Sequence, residues 1–341
     1  MAVSATLHDV ARIAGVSIKT VSNVINGYPH IRPATRERVE SAIAELSYTP
    51  NQTARNLRSG RTGAITLAVP DLSLSYFGEL AAAVIHEAER AGLVVLVEQT
   101  GGDRSREIEM LRSPRLKLTD GLIFSPLGMG QDDVDNLSVS YPLVLLGERI
   151  FDGPVDHITM HNVDSTREAT EFLIAQGRRR IAVVGAHKGE IVGSAGLRLR
   201  GYREALDAAG IAFDDDIVAY TTLWHRANGA RSMRQLLADG AKFDAVIGLN
   251  DTLALGAMRA LQETGRHVPD DVVVVGYDDL DEAQYSIPSL TTVDPGRDWI
   301  ARTAVTTLQR RLNGESADPG ALRQFAPYAL RIRESAPQKN A

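Results

Sequence analysis

Two rhythms of apolar and polar positions divide the chain. As far as about residue 47 the apolar residues recur three or four apart, the spacing of amphipathic helices. From residue 64 onward, short and nearly unbroken aliphatic runs alternate with longer amphipathic stretches. The first rhythm predicts helices over Leu7–Ala14 and roughly Ile18–Ile25, with Thr6 and Ser17 as N-caps and a stop at Asn26-Gly27. Gly15 stands where the chain must turn and a side chain would crowd. Val10, Ala14, Val16, Val21 and Val24 form one apolar seam, and small Ala11 lets the two helices approach. A third helix is predicted over residues 33–47, opened by Pro33, with Val39, Ala42, Ile43 and Leu46 inward and Arg36 and Arg38 outward.

That seam leaves Ile18, Lys19 and Asn23 along one exposed edge of the second helix, with Ser17, Thr20 and Ser22 beside them. A short polar helix rooted in a small core is the helix-turn-helix arrangement for entering a DNA major groove. The plainer alternative is any small helical hairpin. After Tyr48-Thr49, Pro50 ends the third helix and Asn51 can cap a single further turn, about residues 52–57. That turn and its flank carry Arg55, Arg58, Arg61 and one apolar residue, Leu57. A basic, marginal helix with one leucine suits a minor groove, the leucine wedging between base pairs. The alternative is an ordinary basic linker with Leu57 packed on the body.

The second rhythm reads as buried parallel strands at residues 64–69, 94–99, 121–124, 143–146, 181–184, 245–249 and 272–276. Helical stretches fall between them, at residues 79–91, 165–176, 200–209, 230–238 and 253–263. The fold class is therefore α/β: a three-helix headpiece, then a doubly wound body with room for two such units. No internal repeat stands out in the sequence.

Composition narrows the class. With 341 residues, 44% of them hydrophobic, the chain can bury a large core. It has no cysteine, so neither disulfides nor thiolate-bound zinc can organise it. The start lacks a basic-then-apolar signal pattern and no apolar run approaches bilayer length, so a cytoplasmic protein without membrane attachment is expected. The net charge of −6 hides a split. Residues 1–61 hold eight Lys+Arg against four Asp+Glu, a net +4, and the remainder holds 29 against 39, a net −10. A basic head on an acidic body suits a protein that meets phosphate only with its head.

Residues 6–63 closely resemble the DNA-binding region of the lactose-repressor (LacI) family. The matching pieces are T-L-H-D-V-A, A-G-V-S, T-V-S-N-V-I-N-G, T-R-E-R-V, A-I-A-E-L-S-Y-T-P-N and A-R-N-L-R-S-G. The resemblance implies that Ile18, Lys19 and Asn23 read bases, that Leu57 is the minor-groove wedge, and that residues 51–58 fold on the operator. Thr6, Asn51 and Arg55 are counted with them as DNA contacts. It implies a headpiece at 1–48, a hinge at 49–62 and a ligand-binding and dimerisation body at 63–341. It extends to the body, and through the family to periplasmic sugar-binding proteins. The lobes would span about 63–161 with 293–325, and about 162–292 with 326–336. Double-stranded operator DNA, a small-molecule effector and a second copy of the chain are the implied partners.

Ligands of open α/β sheets bind beyond the carboxyl ends of the strands. Tyr76 and Phe77 follow the first strand, Ser125 the third and Glu148 the fourth, though Glu148-Arg149 could simply pair at a surface turn. Arg198 opens R-L-R-G-Y, matching the family's R-x-x-G-(F/Y), while Arg200 is expected in solvent. Trp224 lies in a polar loop, lining the cleft or packing on the body. By resemblance Asn250 and Asp278 point into the cleft, and their neighbours Asp251 and Asp279 serve as caps or turn acceptors. Two departures stand out: Asp71-Leu72-Ser73-Leu74-Ser75-Tyr76-Phe77 replaces a D-x-x-N-P-F pattern, and Arg297 in DPGRDW replaces an aromatic or apolar residue. A carbohydrate fits these groups best, with a nucleobase as the alternative. A soluble sugar-binding protein without DNA function is the rival reading. No phosphate-binding or nucleophile motif supports an enzyme, and no cofactor is expected. His157 and His161 have metal-like spacing but lie in a strand-like stretch, so no metal site is expected.

Overall fold

The computed structural model describes residues 5–25, 27–46, 48, 61–315 and 321–338, which fall into two compact units divided between Thr62 and Gly63. The first unit holds α1 (Leu7–Ala14), α2 (Ile18–Ile25) and α3 (Pro33–Glu45). Thr6 caps α1 more firmly than its own hydroxyl explains. Asp9 N donates to Thr6 Oγ1 at 3.3 Å and Thr6 N donates back to Asp9 Oδ2 at 3.0 Å, a reciprocal capping box. The Thr6 hydroxyl and amide hold the Asp9 carboxyl below its ordinary range. Gly15 takes a left-handed φ of 61° to end α1, and Ser17 Oγ accepts from Thr20 N at 3.1 Å to start α2. Val10, Ala11, Ala14, Val21, Val24, Val39 and Ala42 make the core, with Val16 and Ile18 half-buried at its margin. Tyr48, the last residue of the expected headpiece, is a buried member of this core. One expectation changes. Arg36 does not simply face outward, because it donates to Tyr28 O at 3.1 Å and pins the α2–α3 connection.

The second unit contains two six-stranded sheets. The first has β1 (Ala64–Val69), β2 (Val94–Gln99), β3 (Leu122–Phe124), β4 (Leu143–Leu146) and β5 (Asp156–Met160). The second has β6 (Ile181–Ala186), β7 (Val218–Tyr220), β8 (Ala245–Gly248), β9 (Val273–Tyr277) and β10 (Thr291–Asp294). Near the end of the chain β11 (Arg323–Ala326) joins the first sheet beside β5, and β12 (Ala329–Arg331) the second beside β10. The orders are 11-5-4-3-1-2 and 12-10-9-8-6-7, all neighbours parallel except β10 and β12. One doubly wound topology is thus built twice, as the strand–helix pattern had room for, although no repeat of residues marks it. The chain crosses between sheets after Met160, after Asp294 and after Ala326.

Helices cover both faces of each sheet. α4 (Ser75–Arg90) packs Leu80 and Val84 on one face of the first sheet, and α5 (Arg104–Leu111) packs Met110 and Leu111 on the other. α6 (Asn162–Ala175) and α7 (Ser194–Ala208) lie on one face of the second sheet, α8 (Arg226–Ala238) and α9 (Asp251–Glu263) on the other. The short α10 (Asp281–Tyr285) follows β9, and α11 (Arg297–Leu312) returns to the first sheet with Ile300, Ala304 and Leu308 buried. Helices α4 and α7 begin four and six residues before the positions the periodicity suggests. The expectation that residues 94–99 are buried is wrong. β2 is an edge strand with β1 as its one neighbour, leaving Val94 and Leu96 62% and 46% exposed.

Asp251, fully buried at the start of α9, joins three elements. Its Oδ2 accepts from Leu280 N at 2.9 Å and its Oδ1 from Thr292 Oγ1 at 2.5 Å. Burial, with Asp278 nearby, pushes its carboxyl well above the ordinary range. A Cβ on Gly276 would lie 2.1 Å from Asp251 Oδ1, so this strand position excludes any side chain. Gly276→Ala is expected to cost roughly 1–3 kcal/mol, read as a lowered denaturation midpoint. An unchanged midpoint would mean that Asp251 can move aside.

Candidate functional site

In the first unit, α2 presents Ser17 and Lys19 exposed, with Ile18, Thr20, Ser22 and Asn23 partly exposed. Thr6 is exposed, but its hydroxyl is engaged in the capping box. Ser17 Oγ likewise serves the start of α2 and shares a 2.8 Å hydrogen bond with Thr20 Oγ1. Lys19 is therefore the exposed long cation on this edge of α2. Asn51, Arg55 and Leu57 lie outside the described residues.

In the second unit, Tyr76, Phe77, Ser125, Glu148, Arg198, Trp224, Asn250 and Asp278 all line one cavity of about 210 Å3 between the two sheets' lobes. Each position follows from strand ends or helix starts. Ser125, Glu148 and Asp278 follow β3, β4 and β9. Tyr76 and Phe77 sit not in a loop but in the first turn of α4, because Asp71 closes the preceding turn with a 2.8 Å bond from Ser73 N. Their rings meet edge to face, 5.3 Å apart. Arg198 lies inside α7, not ahead of a helix.

Arg198 is 3% exposed, and its surroundings explain how a cation can be there. Nε donates to Asn162 Oδ1 at 2.8 Å and Nη1 to Leu249 O. The guanidinium lies 3.4 Å from the centre of the Tyr277 ring and 5.5 Å from that of Trp224. Nη2 stands 3.8 Å from Asp278 Oδ1, beyond a direct hydrogen bond, so one oxygen could bridge the two. Trp224 does both things expected of it: Nε1 donates to Gly185 O at 2.9 Å while the ring lines the cavity and packs on the core. Asn250, rather than Asp251, caps α9, its Oδ1 accepting from Leu253 N at 2.8 Å. Glu148 and Arg149 do not pair with each other. Glu148 accepts from Ser194 Oγ of the opposite lobe, and Arg149 Nη2 lies 3.3 Å from Glu190.

Residues 6–51 match the family described as "Bacterial regulatory proteins, lacI family", and residues 170–336 match the periplasmic binding protein-like domain. The HTH-type transcriptional regulator CelR of Thermobifida fusca is 35% identical over 97% of this chain and 98% of its own length. The chain belongs to the LacI family. A putative LacI-family regulator from Sanguibacter keddieii superposes with a TM-score of 0.74, at 51% identity over 81% of this chain and 99% of that one. The lac repressor dimer bound to operator and the anti-inducer ONPF gives a TM-score of 0.82 at 31% identity, over 98% of this chain and 100% of that one. A CelR–cellobiose complex gives 0.70 at 31% identity, over 97% and 99%. This LacI-family chain is a DNA-binding transcriptional regulator.

The cavity of this LacI-family regulator also holds residues not expected to line it: Asp71, Arg149, His187, Glu190 and Ser194. Position was their signal, Asp71, Arg149 and His187 just after β1, β4 and β6 and Ser194 opening α7. His187 Nδ1 shares a 2.8 Å bond with Glu190 Oε2. His187 Nε2 and Thr159 Oγ1, both on the cavity wall, are buried without a partner among the described residues, as groups awaiting a ligand would be. Arg297 takes no place in the cavity lining. It pairs with Glu79 at 2.8 Å and donates to Asp278 O at 3.1 Å, holding the turn below. His157 and His161 do not converge: one bonds Gly147 O at 2.6 Å, the other Asp164 at 3.2 Å. No metal-ligating cluster occurs, and no helix is long and apolar enough to cross a membrane, among the described residues.

Asp278 and Asp279 both have positive φ, 115° and 50°, a strained turn fixed by Asp278 N donating to Val293 O at 2.8 Å and by Arg333 on Asp279 at 2.6 Å. Burial, only partly offset by Arg198 and Arg297, raises the Asp278 carboxyl from 3.8 to about 7. Between those values the folded chain holds a proton that the unfolded chain has released. Stability should therefore fall as pH rises through this window, by up to ~1.4 kcal/mol per pH unit, and level off above it. Asp278→Asn should remove that share of the slope, leaving the part owed to Asp251. Equal slopes for both proteins in denaturant titrations would place the Asp278 pKa elsewhere.

Proposed function

We propose that this regulator is a homodimeric repressor whose grip on operator DNA is set by a carbohydrate held between its two lobes. The convergence of eight polar and aromatic side chains from both lobes on one cavity carries the reading. Trp224, Tyr76 and Phe77 supply flat apolar faces for a sugar ring, and Arg198, Asp278 and Glu148 supply hydrogen-bonding groups for its hydroxyls. CelR, a relative over nearly the whole chain, is known in complex with cellobiose. Ser194 and the histidines of the wall are not arranged as an acid–base pair with a nucleophile: Ser194 serves Glu148, and His187 serves Glu190. A binding protein with no catalytic role is the reading these pairings support, working in the cytoplasm where its DNA lies.

On the DNA side, Lys19 and Asn23 of α2 read base edges, Ile18 meets a thymine methyl, and Ser17, Thr20, Ser22 and Thr6 face the backbone. Asn51, Arg55 and Leu57 would continue the contact into the minor groove. A dimer is supported by the exposed apolar edge of β2, with Val94, Leu96 and Val97 beside an open strand edge that a second copy would cover. The rival, a sugar-binding protein without DNA function, leaves the capped and basic headpiece without a purpose.

Lys19→Ala and Asn23→Ala should each reduce discrimination between operator and random DNA, by roughly 1–3 kcal/mol, more than they reduce binding to random DNA. Equal losses on both DNAs, in gel-shift titrations at fixed salt, would remove these two from base reading. Asp278→Asn should leave operator affinity intact and abolish the change in it caused by a cleft ligand. A retained response would move the ligand out of this cavity.

A further inference from the structure

The following rests on the cleft as the ligand site and concerns the charge of that ligand. The cavity wall sets four carboxyl groups, Asp71, Glu148, Glu190 and Asp278, against two guanidiniums, Arg149 and Arg198. Both guanidiniums are largely committed, Arg149 keeping only Nε buried without a partner among the described residues. Arg149 donates to Val192 O at 3.1 Å and lies 3.3 Å from Glu190. Arg198 spends Nε on Asn162 and Nη1 on Leu249 O, stacks on Tyr277, and turns Nη2 toward Asp278. Neither leaves the two-pronged fork on which a phosphate is usually seated.

Helix N-termini are the other common phosphate seat. Of the helices that begin at this cavity, α4, α7, α8 and α9, the N-termini of α7 and α9 are already taken. Glu190 Oε1 accepts from Gly196 N at 3.3 Å in the first turn of α7, and Asn250 Oδ1 accepts from Leu253 N at the start of α9. Glu148, itself buried, accepts from the Ser194 hydroxyl at the same α7 terminus. A phosphate entering here would exchange its water for carboxylate neighbours. A hydroxyl-rich neutral molecule would find acceptors at Glu148 and Asp278, and the buried Thr159 Oγ1 and His187 Nε2 still to be satisfied.

We propose that the effector is a neutral, unphosphorylated sugar, and that Glu148, held by Ser194 across the cleft, is the residue that turns phosphate esters away. Rejection by a like charge sets specificity as firmly as attraction does.

The test uses the full-length chain. Neutral pentoses, hexoses and disaccharides are screened by thermal shift beside the corresponding sugar phosphates and the purine bases, since a ligand of the native state raises its Tm. Titration calorimetry then compares each hit with its ester. A neutral sugar should raise the Tm, and its phosphate ester should bind at least about tenfold more weakly, as a carboxylate within a few ångströms demands. Glu148→Gln should narrow that ratio by weakening the sugar and strengthening the ester. A phosphate ester or purine that raises the Tm and alters operator affinity would overturn the neutral ligand while leaving the cleft reading intact. A ratio that Glu148→Gln leaves unchanged would remove Glu148 from this role. A neutral sugar bound equally well by Asp278→Asn would instead defeat the cleft reading itself. A screen with no hit in any class would overturn both.

Discussion

The buried guanidinium of Arg198 is the constraint around which the cleft is built. A cation taken from water must find acceptors on every side, and the chain brings them from distant positions. Asn162 comes from the first crossing between lobes, Leu249 from the end of β8, Tyr277 and Asp278 from the end of β9. The same demand brings Asp278 into a site where burial pushes its carboxyl toward protonation while Arg198 and Arg297 favour its charge. It also explains the strained turn at Asp278-Asp279. Val293 and Arg297 hold its backbone and Arg333 holds the Asp279 carboxylate, so the Asp278 carboxyl stays aimed at the cavity.

The floor is rigid, but the walls are held lightly. Polar contacts between the lobes include Glu148 with Ser194, Arg149 with Val192 O and Glu190, Arg297 with Asp278 O, Ser75 Oγ with Glu282 at 3.3 Å, and Asp281 N with Glu79 at 3.1 Å. The exposed ones among them each contribute little, about 0–1 kcal/mol. A ligand with hydrogen bonds to both lobes shifts any equilibrium between lobe arrangements by its differential affinity for them, and a few kcal/mol suffice.

The sequence made the cleft legible through one rule, that residues just past parallel strands face the ligand. The rule reached Ser125, Glu148 and Asp278, and the family pattern R-x-x-G-(F/Y) reached Arg198. What it could not reach has physical reasons. α4 and α7 start at Leu74 and Gly193 without a side-chain cap, so nothing in the residue types marks their first turns. β7 and β12 have three residues each, too few for a period to appear. β2 has the aliphatic composition of a central strand and the position of an edge strand, and composition cannot tell these apart. Asn250 lines the cavity as the family pattern implies and Asp251 is a turn acceptor, but that Asn250 also caps α9 was not marked, because either side chain can cap a helix. Tyr48 follows the last predicted turn of the headpiece, and only the finished core shows that its ring belongs inside.

The division of charge along the chain makes the light walls useful. The first 61 residues carry a net +4 and the rest a net −10. Counterion release draws the basic part to DNA in proportion to the phosphates it neutralises, without regard to sequence. The acidic part opposes that attraction wherever it approaches the duplex to within a Debye length, about 8 Å at physiological salt. On the proposed reading, non-specific adhesion is thereby lowered and discrimination is left to the side chains along α2. A regulator that holds DNA by a small margin can be moved off it by a small margin. Lobes joined by weak polar pairs can supply a margin of that size, whereas a large apolar interface between them could not.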